Sequence, residues 1–419
     1  MKKFLTIFTT SVLFFQSSAV VPAVAAPTTV QLKSNFQLPL SGGEQISAVI
    51  SDGANILIAG TTDSKTSSLV TGELQGNSDG FLSSLTETGQ IQWTLRLGSK
   101  VDEIVTDLVE DNDGTYWVLG AASTLTTKTL NSPNTSGTVI NPDNVVVDRS
   151  ISSNSALNTV KIWQVSKTGS ILNSFESIQS TLIEPKQLLI DSASLIIVGT
   201  IYAANKSSGF VMSGSKTGIF QPVIKVGATN TNLNSAAIDN SGNLVLVGSS
   251  GETIGKSKKI SGRDAIALKT NSSVLAPVIA RASLKNSERS WSHVSSDLFV
   301  SGSVSYASKA KVKNEFVVTK FSSFGKPNWN FRFAAEKFGT SQSTKTSLWA
   351  AFTPTSSVVQ LKGWQKRPQT GAILKFDAKG KILAGYQISG SPTVSTISDS
   401  NGLILISESG NSFNFFLLK

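Results

Sequence analysis

Few residues in this chain are able to do chemistry, and they are scattered. There is one histidine, His293, and no cysteine. A histidine acting as a base needs a partner to orient it, and a metal needs further ligands. His293 sits in the run Trp291-Ser-His-Val294 without a Gly-x-Ser-x-Gly nucleophile turn elsewhere, so it reads as a structural residue. The absence of cysteine excludes a disulfide framework, a thiolate metal site and a lipid-bearing lipobox. Asp102 and Glu103 are adjacent, and on a strand they point to opposite faces, so they cannot flank one glycosidic bond. Asp111, Asp113 and Gly114 are residue types of a calcium loop without its regular further oxygen ligands. No Walker loop, dinucleotide fingerprint or haem motif occurs. No catalytic, cofactor or metal residue is assigned on this basis.

Charge is the feature that remains. Lys256, Lys258, Lys259 and Arg263 share one segment, Lys309, Lys311 and Lys313 the next, and Lys366 and Arg367 a third. Arg281, Lys285 and Arg289 lie between the first two, and Glu252, Asp264 and Glu288 dilute them. The early segments are acidic instead, with Asp63, Glu73, Asp102, Glu103, Asp143 and Asp148. A basic sector fits an anionic ligand: an acidic cell-envelope polymer, a polysaccharide, phospholipid headgroups or another envelope protein. Tyr306 and Trp364, beside these lysines, are candidates to stack on sugar rings. The competing reading is an ordinary solvated surface.

The elements that position these residues are short strands. Only 15% of residues are charged, and Val, Ile and Leu come in short runs among Ser, Thr, Gly and Asn, an all-β composition. Apolar runs ending in a small residue recur at Asn55–Gly60, Tyr116–Gly120, Leu195–Gly199, Leu244–Gly248, Leu298–Gly302, Val358–Gly363 and Leu403–Ser407. Asp-to-Gly turns such as Asp52-Gly53, Asp111–Gly114, Asp239–Gly242 and Asp399–Gly402 precede most of them, and second turns such as Glu87-Thr-Gly89, Lys167-Thr-Gly169 and Ala378-Lys-Gly380 follow. The Asp side chain opens such a turn and Gly takes the positive φ that closes it. Each unit therefore reads as four strands, a-b-c-d, in a meander, which is the pattern of a propeller blade. Strand a should line a central channel with Ser47, Thr106, Ser235 and Ser347.

The seventh unit lacks a strand d, and an orphan strand, Val30 to Leu40, precedes the first unit. Phe36-Gln-Leu-Pro-Leu40 matches Trp93-Thr-Leu-Arg-Leu97. The expectation is an all-β, seven-bladed β-propeller of four-stranded antiparallel blades, its ring closed by the N-terminal strand completing the last blade and leaving no open edge. In a meander the b→c and d→a connections leave one end of every blade, so the basic segments should share one face.

The segment from Ser78 to Ser123, with its DGF strand, Trp strand, Leu-Gly, DG turn and Val-Leu-Gly strand, resembles the bacterial SBBP-type propeller repeats. Thr88-Gly89 to Trp93, echoed by Gly325 to Trp329, is also similar to the quinoprotein repeat. The resemblance implies a fold rather than an activity.

At the N-terminus, Lys2 and Lys3, the apolar Phe4 to Phe15 and the small-x-small Ala23-Val24-Ala25 have the form of an export signal cleaved after Ala25. The apolar run is too short to span a bilayer. Residues 26–419 are then one exported propeller domain with 35 basic and 27 acidic residues. Nucleic acid is not expected outside the cell. Two function classes stay open: a non-catalytic binding module of the envelope or exterior, and a propeller enzyme, either glycan-cleaving or quinone-dependent.

Overall fold

The computed structural model describes residues 26–127, 151–270, 278–308, 311–336, 339–343, 347–365, 367–399 and 402–418. The expected signal at 1–25 lies outside them, as do Lys309, Lys366, Asp143 and Asp148.

Seven antiparallel sheets form seven blades. Blade one is a Glu44–Ser51, b Asn55–Thr62, c Asp79–Thr86 and d Ile91–Leu97. Blade two is Glu103–Glu110, Tyr116–Thr127, Ile151–Val165 and Ile171–Ile178. Blade three is Ile183–Asp191, Ser194–Ala203, Lys206–Ser215 and Ile224–Val226, and blade four is Thr231–Ile238, Leu244–Ser250, Asp264–Thr270 and Val278–Ala282. Blade five is Ser287–Val294, Phe299–Ser308, Lys311–Ser323 and Lys326–Ala334, and blade six is Thr340–Ser343, Ser347–Phe352, Thr370–Asp377 and Ile382–Ser389. Blade seven has a Ser391–Asp399, b Gly402–Ser409 and c Ser412–Leu418, completed by Phe36–Pro39 as its strand d.

Strand b alternates its side chains between two neighbours. Ile56 and Ile58 pack with Ile404, Ile406 and Phe415 of blade seven, while Leu57 and Ala59 pack with Val105, Leu108 and Val118 of blade two. The same division repeats, so the seven apolar clusters among the described residues are the seven seams between blades. Burial on both faces is why strands b and c read as continuous apolar runs rather than alternating ones.

The glycine that ends five of the b runs answers to a bulge. Strand a shifts register between Ile46 and Ala48, and at the matching place in blades two to five and seven. The carbonyl just before the bulge lies against strand b: a Cβ on Gly60 would come 2.0 Å from the Gln45 oxygen, and one on Gly248 would come 1.9 Å from that of Asn232. No side chain fits there.

Two sequence expectations need correction. In blade six, strand b is Ser347–Phe352, not the Val358–Gly363 run, and Ser347 is accordingly on strand b rather than a. Here the close-approach glycine has moved across the ladder, since a Cβ on Gly339 would lie 2.6 Å from the Ala351 carbonyl. Strand b thus needs no terminal glycine. Val358 and Leu361 are instead apolar plugs of the long b→c connection, buried in the seam between blades five and six.

The orphan N-terminal segment also divides. Phe36 pairs with Phe415 and Pro39 with Ser412, closing blade seven, whereas Val30 pairs in parallel with Tyr386 and adds a fifth strand, Thr29–Gln31, to the blade-six sheet. By pairing register Phe36 occupies the place of Leu95, two residues beyond Trp93.

An aromatic on strand d covers the c→d turn glycine of the next blade. Trp93 lies over Gly169 and donates its Nε1–H to the Lys167 carbonyl at 3.1 Å, and Trp329 does the same over Gly380 to the Ala378 carbonyl at 3.0 Å. Phe175 covers Gly218, and Phe36 covers Gly89 across the closure. Phe36 also stacks on Phe415, with centroids 4.5 Å apart. Phe36→Ala should therefore cost about 2–3 kcal/mol, and removal of residues 26–40 should lower the melting temperature far more than loss of an equally long loop. Thermal unfolding by circular dichroism checks both; unchanged melting after the deletion contradicts the closure.

Candidate functional site

Every b→c and d→a connection leaves the blades at one end, so that face gathers the variable segments. Their lengths differ from expectation. Long connections occur after strand b in blades one, four and six, but in blade three the b and c strands continue as a ladder to Ala203 and Lys206. Blade five does likewise, with Tyr306 opposite Lys313 and Ser308 opposite Lys311. Tyr306, Lys311 and Lys313 are therefore strand residues on a protruding hairpin, not loop residues.

The long connections of blades one and four are pinned by acid–arginine latches. Asp79 opens strand c of blade one, accepts from the Gln75 and Gly76 amides, and pairs with Arg96 on strand d at 3.1 Å. Asp264 repeats this in blade four with the Ile260 and Ser261 amides and Arg281 at 3.3 Å. Glu315 and Arg332 form the equivalent pair in blade five. Both partners in blades one and four are nearly inaccessible, and a buried charge persists only when paired in this way.

These latches sort the basic residues. Arg281 is internal, and its remaining donors reach the Glu252 and Ser257 carbonyls. Arg289 lies on strand a over the Trp291 ring, and burial pushes its guanidinium down to about 10. Neither belongs to the surface. Glu252 is also spent internally: burial opposes its charge, but amides of Asn230 and Thr229 and hydroxyls of Thr231 and Thr229 bring its carboxyl to about 2. Arg263 donates to Asn230. Lys256, Lys258 and Lys259 on blade four, Lys311 and Lys313 on blade five, and Arg367 on blade six are exposed, and none forms an ion pair among the described residues.

The two candidate aromatics are committed to the protein. Tyr306 donates its hydroxyl to Glu315 at 2.9 Å, and its ring lies 5.9 Å from the Arg332 guanidinium carbon. Trp364 is half-buried against the core of blades five and six, and its Nε1–H has no partner. Aliphatic side chains take the exposed places: Ile260, Val312 and Val359 are 67%, 72% and 80% exposed, one on each of blades four, five and six.

Strand a holds two residues that sequence reasoning passed over, Asp107 and Gln187, beside Ser235 and His293, which it had named. In blades two to four the residue after the strand-a bulge reaches the next blade: Asp107 Oδ2 accepts from the Leu188 amide at 2.8 Å, Gln187 Oε1 from Ala236 at 2.7 Å, and Ser235 Oγ from Val294 at 3.2 Å. His293 stands next in this series with Nε2 buried and unpartnered, and burial pushes the ring down to about 4. Counting back from the strand-b glycine to a polar residue would have found Asp107 and Gln187. The Asp111 turn holds no calcium geometry: Asp111 pairs with Lys216 at 2.6 Å and Asp113 accepts from the Thr115 amide and hydroxyl. No group of three or more potential metal ligands occurs among the described residues.

No protein-family model matches the chain, and no curated protein matches it. Solved structures of similar fold include a protein of unknown function from Bacteroides caccae, at 10% identity and a TM-score of 0.41, covering 84% of this chain and 85% of that one. A member of the DUF4221 family from Bacteroides vulgatus gives 10% identity and a TM-score of 0.39 over 94% of this chain and 99% of that one. The phage phi92 endosialidase gives 9% and 0.40 over 94% and 68%. At this distance the likeness says nothing of what the chain binds.

Asp107 gives this region a pH signature. It stays partly accessible from the channel, yet protein surrounds it, and burial raises its carboxyl to about 7 against the hydrogen bonds from Leu188 and Leu108. A raised carboxyl stabilises the fold below the ordinary carboxylate range, and that contribution is lost as pH rises to about 7. Asp107→Asn keeps an acceptor and removes the titration. The wild type should fall relative to the variant by roughly 2–4 kcal/mol between about pH 4 and pH 8, measured by urea unfolding. Parallel pH profiles would refute the assignment.

Proposed function

We propose that this seven-bladed propeller is an exported, non-catalytic binding module whose b→c face holds an acidic polymer of the cell envelope. What carries the reading is the run of unpaired cations on three consecutive blades: Lys256, Lys258 and Lys259, then Lys311 and Lys313, then Arg367. The nearby acids Glu252 and Asp264 are consumed inside the blade and do not neutralise them. Lys309 and Lys366 extend the same segments in sequence. The channel wall supports binding over hydrolysis, since Asp107 is the one carboxylate at the described post-bulge positions. The seating of Trp93 and Trp329 on a neighbour's turn glycine supports an SBBP- or quinoprotein-like repeat.

A second reading has its own observation. Ile260, Val312 and Val359 project beside the cations, and an aliphatic tip ringed by lysine suits the headgroup region of an anionic bilayer. No helix among the described residues is long and apolar enough to cross a membrane.

Each cation is screened within about 8 Å at physiological salt, so binding to poly-glutamate or a teichoic acid should be modest and weaken as salt rises. Lys258→Glu, Lys311→Glu and Arg367→Glu together should lose about tenfold or more in affinity with the fold intact. Lys167→Glu and Lys379→Glu, at c→d turns of the opposite face, are the control. Equal loss from both sets means attraction by net charge alone, and no binding at low salt defeats the proposal. Vesicles of phosphatidylglycerol separate the second reading: binding that survives salt and is lost on changing Ile260, Val312 and Val359 to Ser marks a lipid surface.

Export is part of the proposal, and it rests on the Lys2-Lys3, apolar and Ala-Val-Ala pattern of residues 1–25. Mass spectrometry of the native protein should find a chain beginning at Ala26. An intact Met1 contradicts it.

A further inference from the structure

The seam between blades seven and one holds a pocket of about 400 Å3 on the same face, far from the lysines in blade order. Glu44, Asp63 and Glu408 line it together with Gly43 and Phe413. Glu44 opens strand a of blade one and is 7% exposed, and neither of its carboxylate oxygens has a hydrogen-bond partner. Asp63 lies directly against Gly43, where a Cβ would fall 2.0 Å from its Oδ1. Gly43 has φ +121° there, so the backbone itself makes room for that carboxylate. No ion pair joins Glu44, Asp63 or Glu408 to a basic side chain among the described residues.

The same position in the next blade shows what a satisfied glutamate looks like. Glu44 pairs with Thr62 and Glu103 with Ala122, each two residues beyond the strand-b glycine. Glu103 accepts from the Ser99 amide at 3.2 Å and from the Ser99 hydroxyl. Four residues ahead of Glu44 the chain has Leu40 instead, which supplies no side-chain donor. The d→a link before blade one therefore leaves its glutamate open toward the pocket, where the link before blade two closes over its own. An ionised group removed from water without a partner is costly, and a counter-charge seated beside it recovers that cost.

We propose that this pocket is a binding site for a small organic cation carrying a primary ammonium or guanidinium group. Glu44 receives the charged head, Asp63 and Glu408 at the rim add to the negative field, and the Phe413 ring forms an apolar wall for the carrier. The space exceeds that of a bare ion, and a head with several N–H donors satisfies both Glu44 oxygens at once. This site is independent of the basic sector and of the polymer that sector holds.

The test uses the mature chain with spermidine, n-butylammonium and guanidinium as probes, n-butanol as the neutral control and calcium as the rival cation. Calorimetry at low salt should show amine binding that falls about tenfold or more in Glu44→Gln. Without ligand, Glu44→Gln should melt at or above the wild-type temperature, because it removes an uncompensated buried charge. With spermidine, only the wild type should be shifted upward. Equal amine binding by Glu44→Gln, no binding of any amine by the wild type, or calcium binding that excludes the amines would each overturn the proposal. A lower melting temperature for ligand-free Glu44→Gln would also overturn it, since Glu44 would then be satisfied within the fold.

Discussion

Burial of every blade on both faces is the constraint from which the rest follows. A sheet with one apolar face can stop at solvent, but these sheets have two, so each needs a neighbour on either side and the array must return on itself. Each fully buried Val, Leu, Ile or Phe contributes about 1.5–3 kcal/mol, and each seam contains several, so the seams together outweigh any surface charge pair worth less than about 1 kcal/mol. Phe36–Pro39 matters because the seventh seam is the one that chain continuity does not make: its partners stand at opposite ends of the sequence. The parallel strand Thr29–Gln31 on blade six adds a second hold on the same segment.

This explains what was legible in the sequence. The strand-b glycine of five blades, the Asp-to-Gly turns and the missing last strand are local signatures of backbone geometry, so blade number and closure could be read. Blade six failed the reading because its close-approach glycine, Gly339, lies just before strand a, and the loop plug Val358–Gly363 imitates a b run. The slip at Phe36 has a similar origin. Trp93 and Phe36 both cover the next blade's turn glycine, but they do so from positions two residues apart, so matching by role misaligned the strands.

Charge was harder to read because composition does not separate a latch from a surface. Arg281 and Lys285 look alike in a list of basic residues, yet one is sealed against Asp264 and the other is exposed. A signal did exist. Asp79 to Arg96, Asp264 to Arg281 and Glu315 to Arg332 each span 17 residues, the distance from strand c through the turn to the partner on strand d. The inward contact of Tyr306 had no such mark, since a strand extending past its glycine looks like the start of a loop.

The strand-a position that pairs two residues beyond the strand-b glycine shows how such a ring acquires distinct sites without disturbing its core. By pairing, that position holds Glu44, Glu103 and Arg289 in blades one, two and five. It lies at the end of the sheet, where the seam's apolar packing finishes, so a charged head there displaces no core residue. What differs is the link that precedes it. Ser99 closes over Glu103 and Leu40 leaves Glu44 facing the pocket, while Arg289 is covered from its own strand by the Trp291 ring. The d→a links are thus the freest variable in the molecule: altering one residue in a link opens or closes a charged seat while both neighbouring blades stay packed. An acidic seat at the closing seam and a basic sector on blades four to six, both on the b→c face, follow from that freedom acting at different points of one ring.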